Sequence, residues 1–158
     1  MTRRDFSLLG LAAPVAHLRA AAPGLMLGYD TYSVRAWGWK APRHMEFAAE
    51  LKLDAIQISS LGDFESLEPA YLQKIRDQAH AANIVIDAGT GCICPSARAY
   101  RSKEDPAAHL RRALEAAKQV GARTLRCYLG DSADRYDATP IEKHMEDTIR
   151  VFKAAKSA

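Results

Sequence analysis

Four times in succession a short apolar run is followed by a longer segment of helical period, and this alternation constrains the fold more than any other feature of the chain. The runs at 25–29, 55–59, 84–88 and 124–129 have the length and composition of strands. Helices are expected over 42–53, 68–82, 105–120 and from 140 onward. Pro42, Pro69, Pro106 and Pro140 each stand at or near a helix start, where a missing N–H costs nothing. Phe47, Ala48 and Leu51 in the first helix, Leu72, Ile75, Ala79 and Ala82 in the second, and Ile141, Met145, Ile149 and Phe152 in the last recur at helical spacing and predict core stripes. Asp105 is a candidate cap and Gly121 a candidate stop for the third. Strands separated by helices in this way pair in parallel. Gly89, Gly91 and Pro95 predict an extended loop from the third strand to about residue 103.

Alternate side chains of a strand point to opposite faces. By that parity Ile56, Ile58, Ile84, Ile86, Leu125, Cys127 and Leu129 form an apolar face to lie under the helices. Asp30, Gln57, Ser59, Asp87, Arg126 and Tyr128 fall on the other face, concentrated near the strand C-terminal ends. A parallel sheet covered by helices on both sides would be apolar on both. A polar second face instead fits the interior of a (β/α)8 barrel opening onto a site. Such a barrel takes about 250 residues; with 158 residues and four units, the expected fold class is α/β, the N-terminal half of a TIM barrel over 23–158.

Hydrophobic residues make up 48% of the chain and charged residues 26%, a balance that supports a folded core. Formal net charge is +3, but outside residues 1–22, which hold Arg3, Arg4, Arg19 and Asp5, 19 basic residues face 18 acidic ones and leave +1. Nucleic acid is therefore not the expected partner. Residues 1–22 read as a signal peptide: a charged start at Thr2-Arg3-Arg4-Asp5-Phe6, an apolar stretch from Leu8 to Leu18, and small residues at Ala20-Ala21-Ala22. The stretch is too short for a stable membrane anchor. The Thr-Arg-Arg-x-Phe start resembles the bacterial twin-arginine signal, which implies a periplasmic or secreted protein; an ordinary frayed N-terminus of a cytoplasmic one is the alternative. Cys92, Cys94 and Cys127 form no Cys-x-x-Cys pair and are expected as buried thiols, with a bridge from Cys92 or Cys94 to Cys127 as the alternative.

Three segments carry a resemblance: Leu-Gly-Tyr-Asp-Thr-Tyr-Ser-Val-Arg at 27–35, Ala-Ala-Glu-Leu-Lys-Leu-Asp-Ala-Ile-Gln-Ile-Ser at 48–59, and Ala-Lys-Gln-Val-Gly-Ala-Arg-Thr-Leu-Arg-Cys-Tyr-Leu-Gly at 117–130. In this order they resemble the xylose isomerase-like TIM barrel family of sugar phosphate isomerases and epimerases, N-terminal half only. The resemblance implies metal-assisted proton transfer next to a sugar carbonyl in a full-length relative, and a divalent metal, Mn, Mg or Zn, as cofactor. The family's ligands lie on later strands, so no metal ligand is carried over to this chain and no catalytic residue is assigned. The chain alone is expected to be inactive.

What the resemblance leaves to this half is part of a substrate pocket for a small sugar or sugar phosphate, formed by loops after the strands. Tyr32 and Arg35 follow strand one, Gln57 and Ser59 end strand two, Asp87 and Thr90 end strand three, and Arg126 and Tyr128 lie on strand four. Arg126 is the leading candidate to hold an oxyanion, against a structural ion pair with Asp87 or Asp30. Asp30 with Asp87 as an acid/base pair is a further candidate. Gly89-Thr90-Gly91 resembles a phosphate cradle only superficially. His44, His80, His109 and His144 fall on predicted helices and are expected on the surface. Trp37, Trp39 and Lys40 either line a sugar or pack beneath the first loop. A non-enzymatic alternative is an exported sugar-binding α/β module. Four units leave two open sheet edges, so a homodimer or a missing second barrel half is the expected partner.

Overall fold

A computed structural model describes residues 24–156; the signal-like segment 1–22 lies outside the described residues. Four strands, β1 (Gly28–Asp30), β2 (Ala55–Ile58), β3 (Val85–Cys92) and β4 (Leu125–Tyr128), alternate with four helices, α1 (Ala41–Glu50), α2 (Pro69–Ala81), α3 (Pro106–Gln119) and α4 (Ile141–Lys156). The strands are all parallel in the order β1-β2-β3-β4. Four consecutive βα units of this kind are half of a TIM barrel. With right-handed crossovers, sequential parallel strands place every helix on one face of the sheet.

The register matches the expected parity. Tyr29, Ile56 and Ile86 sit in one row across β1 to β3, and Asp30, Gln57 and Asp87 in the next. Ile56, Ile58 and Ile86 are buried with Met45, Leu72, Ile75 and Val120 in the main core beneath α1, α2 and α3. Leu125 and Cys127 pack against a second cluster of Ile93, Ala107, Leu110 and Val151. The buried apolar area here is what offsets the ordering of the chain. Asp105 caps α3, its carboxylate accepting from the Ala108 N–H at 2.9 Å, and Gly121 closes it in the left-handed region.

Beyond Leu51, which lies past the end of α1 and is exposed rather than part of its core stripe, four expectations need correction. The first strand begins at Gly28 rather than 25, and Leu25 and Leu27 are exposed; pairing begins only where β1 meets Ala55. Leu129 lies beyond the end of β4 and is exposed rather than packed under the helices. The third strand runs to Cys92, through the glycines read as loop. Gly89 pairs with Arg126 and Cys92 with Tyr128, so β3 spends one more residue than β4 over this stretch. That is a β-bulge, and glycine is the residue that relaxes into one.

The fourth concerns α4, whose buried face is His144, Asp147, Thr148 and Val151. The predicted stripe of Ile141, Met145, Ile149 and Phe152 is instead 36–50% exposed. The helix packs on α3 with its polar side, where Asp147 is held by Lys143 and Arg150. Its apolar stripe faces away from the core, on the last unit of an open sheet.

Candidate functional site

The polar face is organised around a cation that crosses three strands. Arg126 projects from β4, and its Nη2 donates to Ser59 Oγ at 3.3 Å and lies 3.8 Å from Asp30 Oδ2. Ser59 Oγ in turn donates to Asp30. Gly89 lies beside Arg126 on β3 and has no side chain to block the guanidinium's way to β2 and β1. A Cβ at Gly89 would fall 2.7 Å from the Ser59 carbonyl oxygen, so glycine is required where the strands approach. Thr31 completes the corner: its hydroxyl accepts from the Ser59 N–H at 3.0 Å and donates to Asp63 at 2.7 Å. Asp30, Ser59 and Arg126 are thus brought together. Arg126 keeps 42% of its side chain exposed, so it is an ion-pair member and a solvent-facing donor at once.

The remaining candidates divide. Tyr32 and Tyr128 share an open cleft of 540 Å³ at the C-terminal end of the sheet, with Arg98, Arg101 and Asp131 on its other side. Arg98 and Asp131 face each other at 3.5 Å. The Asp131 carboxyl is held below its usual range by the Ala133 backbone N–H, with Arg98 adding to the effect. Arg35 does not enter the cleft: it donates to the Tyr32 carbonyl at 2.7 Å and stacks 4.0 Å from the Tyr32 ring centre. Gln57 sits half-buried in the row between Asp30 and Asp87. Asp87 is drawn instead to the start of β4, accepting from Thr124 Oγ1 at 2.9 Å and facing Arg123 at 3.5 Å. Two strand spacings, roughly 10 Å, separate the Asp30 and Asp87 backbones. The two carboxylates make no direct contact, and Arg126 pairs with Asp30 rather than Asp87.

Thr90 continues the helix-side parity of Ile86 and Ala88. Its side chain is 2% exposed and bonds His109 Nε2 at 2.8 Å, while His109 Nδ1 faces Glu104 at 3.4 Å. Gly89-Thr90-Gly91 is therefore an irregular stretch of strand that fastens β3 to α3. Arg112 donates to Glu104 at 2.7 Å and is the first cause of that carboxyl's lowered pKa.

The surface expectation for the histidines holds for His80 alone. His44 is 2% exposed against Tyr29, His144 is buried against Asp134, and His109 is largely buried. Each has a partner outside its own helix, Tyr29 for His44, Thr90 and Glu104 for His109 and Asp134 for His144, so helical position gave no signal for its burial. Trp37 and Trp39 pack on each other, ring centres 4.4 Å apart, and both meet Phe47 edge-on. Lys40 donates to the Gly62 carbonyl at 2.5 Å, so this group braces the first loop. All three cysteines are free thiols. Burial pushes the pKa of Cys92 and Cys127 up and keeps them protonated.

Among the described residues no group of three or more His, Cys, Asp or Glu side chains could hold a metal ion.

The solved structures similar to this chain include two epimerases. One is a D-psicose 3-epimerase crystallised in the presence of D-fructose, with TM-score 0.58 and 18% identity. The other is a D-psicose 3-epimerase with D-tagatose from Clostridium cellulolyticum H10, with TM-score 0.56 and 15% identity. Each match covers 84% of this chain and 49% of the other, so the chain spans about half the length of these structures. No family model matches the sequence, and no curated protein matches it. The likeness is one of fold.

Proposed function

We propose that this chain is the N-terminal half of a sugar isomerase or epimerase barrel and supplies part of its sugar pocket. The observation that carries this reading is the Asp30–Ser59–Arg126 network on the inner face of the sheet. A carboxylate, a hydroxyl and a guanidinium at one end of a parallel half barrel match the donor and acceptor pattern of a polyhydroxylated ligand. Tyr32 and Tyr128 at the neighbouring cleft add hydroxyls and ring faces. The fold likeness to sugar epimerases supports the ligand class.

The chemistry of this reading is removal and return of a proton next to a carbonyl. The described residues contribute binding and orientation: Arg126 donates to a substrate oxygen, Asp30 and Ser59 accept from hydroxyls. The proton-transferring groups are assigned to other residues of a complete barrel. The divalent metal implied by the resemblance finds no fitting set among the described residues.

Completion of the barrel belongs to the same proposal. Among the described residues the outer edges of β1 and β4 have no partner strand, and the apolar stripe of α4 is partly exposed. A further βα unit, from a longer form of the chain or from a second copy, would cover both. Residues 1–22 are proposed as a twin-arginine-type export signal, tested by the N-terminal residue of protein recovered from the periplasm.

The test of function is titration of the protein with D-fructose, D-tagatose and D-psicose, alongside product analysis with and without added Mn. Sugar binding by this chain, with turnover that appears only in a completed barrel and only with added metal, supports the reading. Binding without turnover in the completed barrel under any metal favours the sugar-binding module. Absence of binding to every sugar tried overturns both.

A further inference from the structure

A second cavity, of 440 Å³, lies between the β2–α2 and β3–α3 loops, on the far side of the β3–α3 loop from the cleft of Tyr32 and Tyr128. Its cationic lining is Arg101 and Arg112, with the His109 imidazole beside them, and its hydroxyls are Ser60, Ser102 and Thr90; no carboxylate lines it. Glu104, the acid bonded to this lining, is already committed to Arg112 and His109. Arg101 makes no ion pair or side-chain hydrogen bond among the described residues. It lines both this cavity and the cleft, at the partition between them.

We propose that this cavity binds a phosphate-class oxyanion, with Arg101 as its principal ligand. The argument is one of charge and fixed geometry. A guanidinium presents a planar fork that matches two phosphate oxygens, and an unpaired one beside a recess gains most from such a partner. Arg112 is immobilised by Glu104, and His109 by Thr90 and Glu104, so the rear of the cavity is ordered before any ligand arrives. Preorganised donors lose little entropy on binding. The serine hydroxyls at both loop ends add neutral donors of the kind that complete a phosphate's coordination. The volume exceeds that of inorganic phosphate, and Leu61 and Leu67 leave an apolar wall for the body of a small organic phosphate. The site is distinct from the Asp30–Ser59–Arg126 network and stands independently of the sugar reading.

The experiment is calorimetric titration of the full chain with inorganic phosphate at low ionic strength. Arg101→Gln, an exposed position whose replacement leaves the core untouched, is expected to weaken binding roughly tenfold or more. Lys74→Gln, exposed on α2, is expected to leave it unchanged. Circular dichroism of Arg101→Gln confirms that the fold is retained. D-Fructose 6-phosphate separates the two sources of the anion. If the phosphate belongs to a sugar substrate, the sugar phosphate binds more tightly than inorganic phosphate, and Arg126→Gln as well as Arg101→Gln weakens it. If the anion is free phosphate, the two ligands bind alike and only Arg101→Gln matters. Undetectable binding at millimolar phosphate, or an affinity that Arg101→Gln leaves unchanged, overturns the proposal.

Discussion

Arg126 on β4 reaches Asp30 on β1, three strands away in the sheet order, because the residue beside it on β3 is Gly89. One missing side chain turns two edge-strand residues into neighbours, and Ser59 bonds to both. Replacing Arg126 by Gln or Asp30 by Asn removes the charge on one side. Because both groups are partly exposed, urea unfolding is expected to show a loss below about 1 kcal/mol. Sugar affinity is expected to fall roughly tenfold, the cost of a lost charged hydrogen bond. Equal affinity in wild type and both variants would remove this network from the binding site.

Gly89→Ala should be far more harmful than its size implies. Its new Cβ would meet the Ser59 carbonyl oxygen at 2.7 Å, a backbone atom of the neighbouring strand that has no rotamer to escape into. A loss of about 2 kcal/mol or more is expected. Gly38→Ala provides the contrast. Gly38 has φ +66° and nothing near its absent Cβ, so only backbone strain of about 1 kcal/mol is expected there. Chemical denaturation of the two variants side by side checks the order.

Tyr29 and His44 make stability depend on pH at both ends of the range. Burial lowers the His44 pKa in the folded protein, so the unfolded chain binds the proton more tightly. Stability from this residue is present above the unfolded value of about 6.5 and is lost as pH falls through the folded one. Tyr29 runs the other way: burial raises its pKa to about 12, so stability is lost as pH rises from about 10 toward that value. Their contact, Tyr29 Oη to His44 Nδ1 at 2.9 Å, joins the two. Urea midpoints for wild type and His44→Gln across this range should differ in slope below pH 6.5 and run parallel between pH 7 and 9; parallel curves throughout would refute the His44 assignment.

Ile149→Glu and Met145→Glu test whether the α4 stripe is covered in solution. Both side chains are about half exposed, so neither substitution opens the core. The wild-type chain is expected to self-associate, and either variant to shift to lower mass in sedimentation velocity. A monodisperse wild-type monomer indistinguishable from the variants would show that the stripe has no partner of its own kind.

Strand parity was legible before any coordinates because it depends only on neighbours two residues apart. Ile56 and Ile86 under the helices, and Gln57 and Asp87 on the opposite face, followed from alternation alone. The bulge in β3 was not legible, since glycines that mark loops also permit irregular strands, and only pairing with Arg126 and Tyr128 distinguishes the cases. The exposed stripe of α4 defeated the helical period for a related reason. Periodicity identifies an apolar face but carries no information about which neighbour covers it.

The sequence by itself determined four βα units, their parallel order and the division of the sheet into an oily and a polar face, because each rests on local spacing. Only the tertiary structure decided that Arg126 takes Asp30 rather than Asp87, that Thr90 takes His109, and that Arg101 has no partner among the described residues between two cavities. Those outcomes depend on which of several equally charged partners the folded backbone brings within a few ångströms, and electrostatic partners distant in sequence leave no periodic trace.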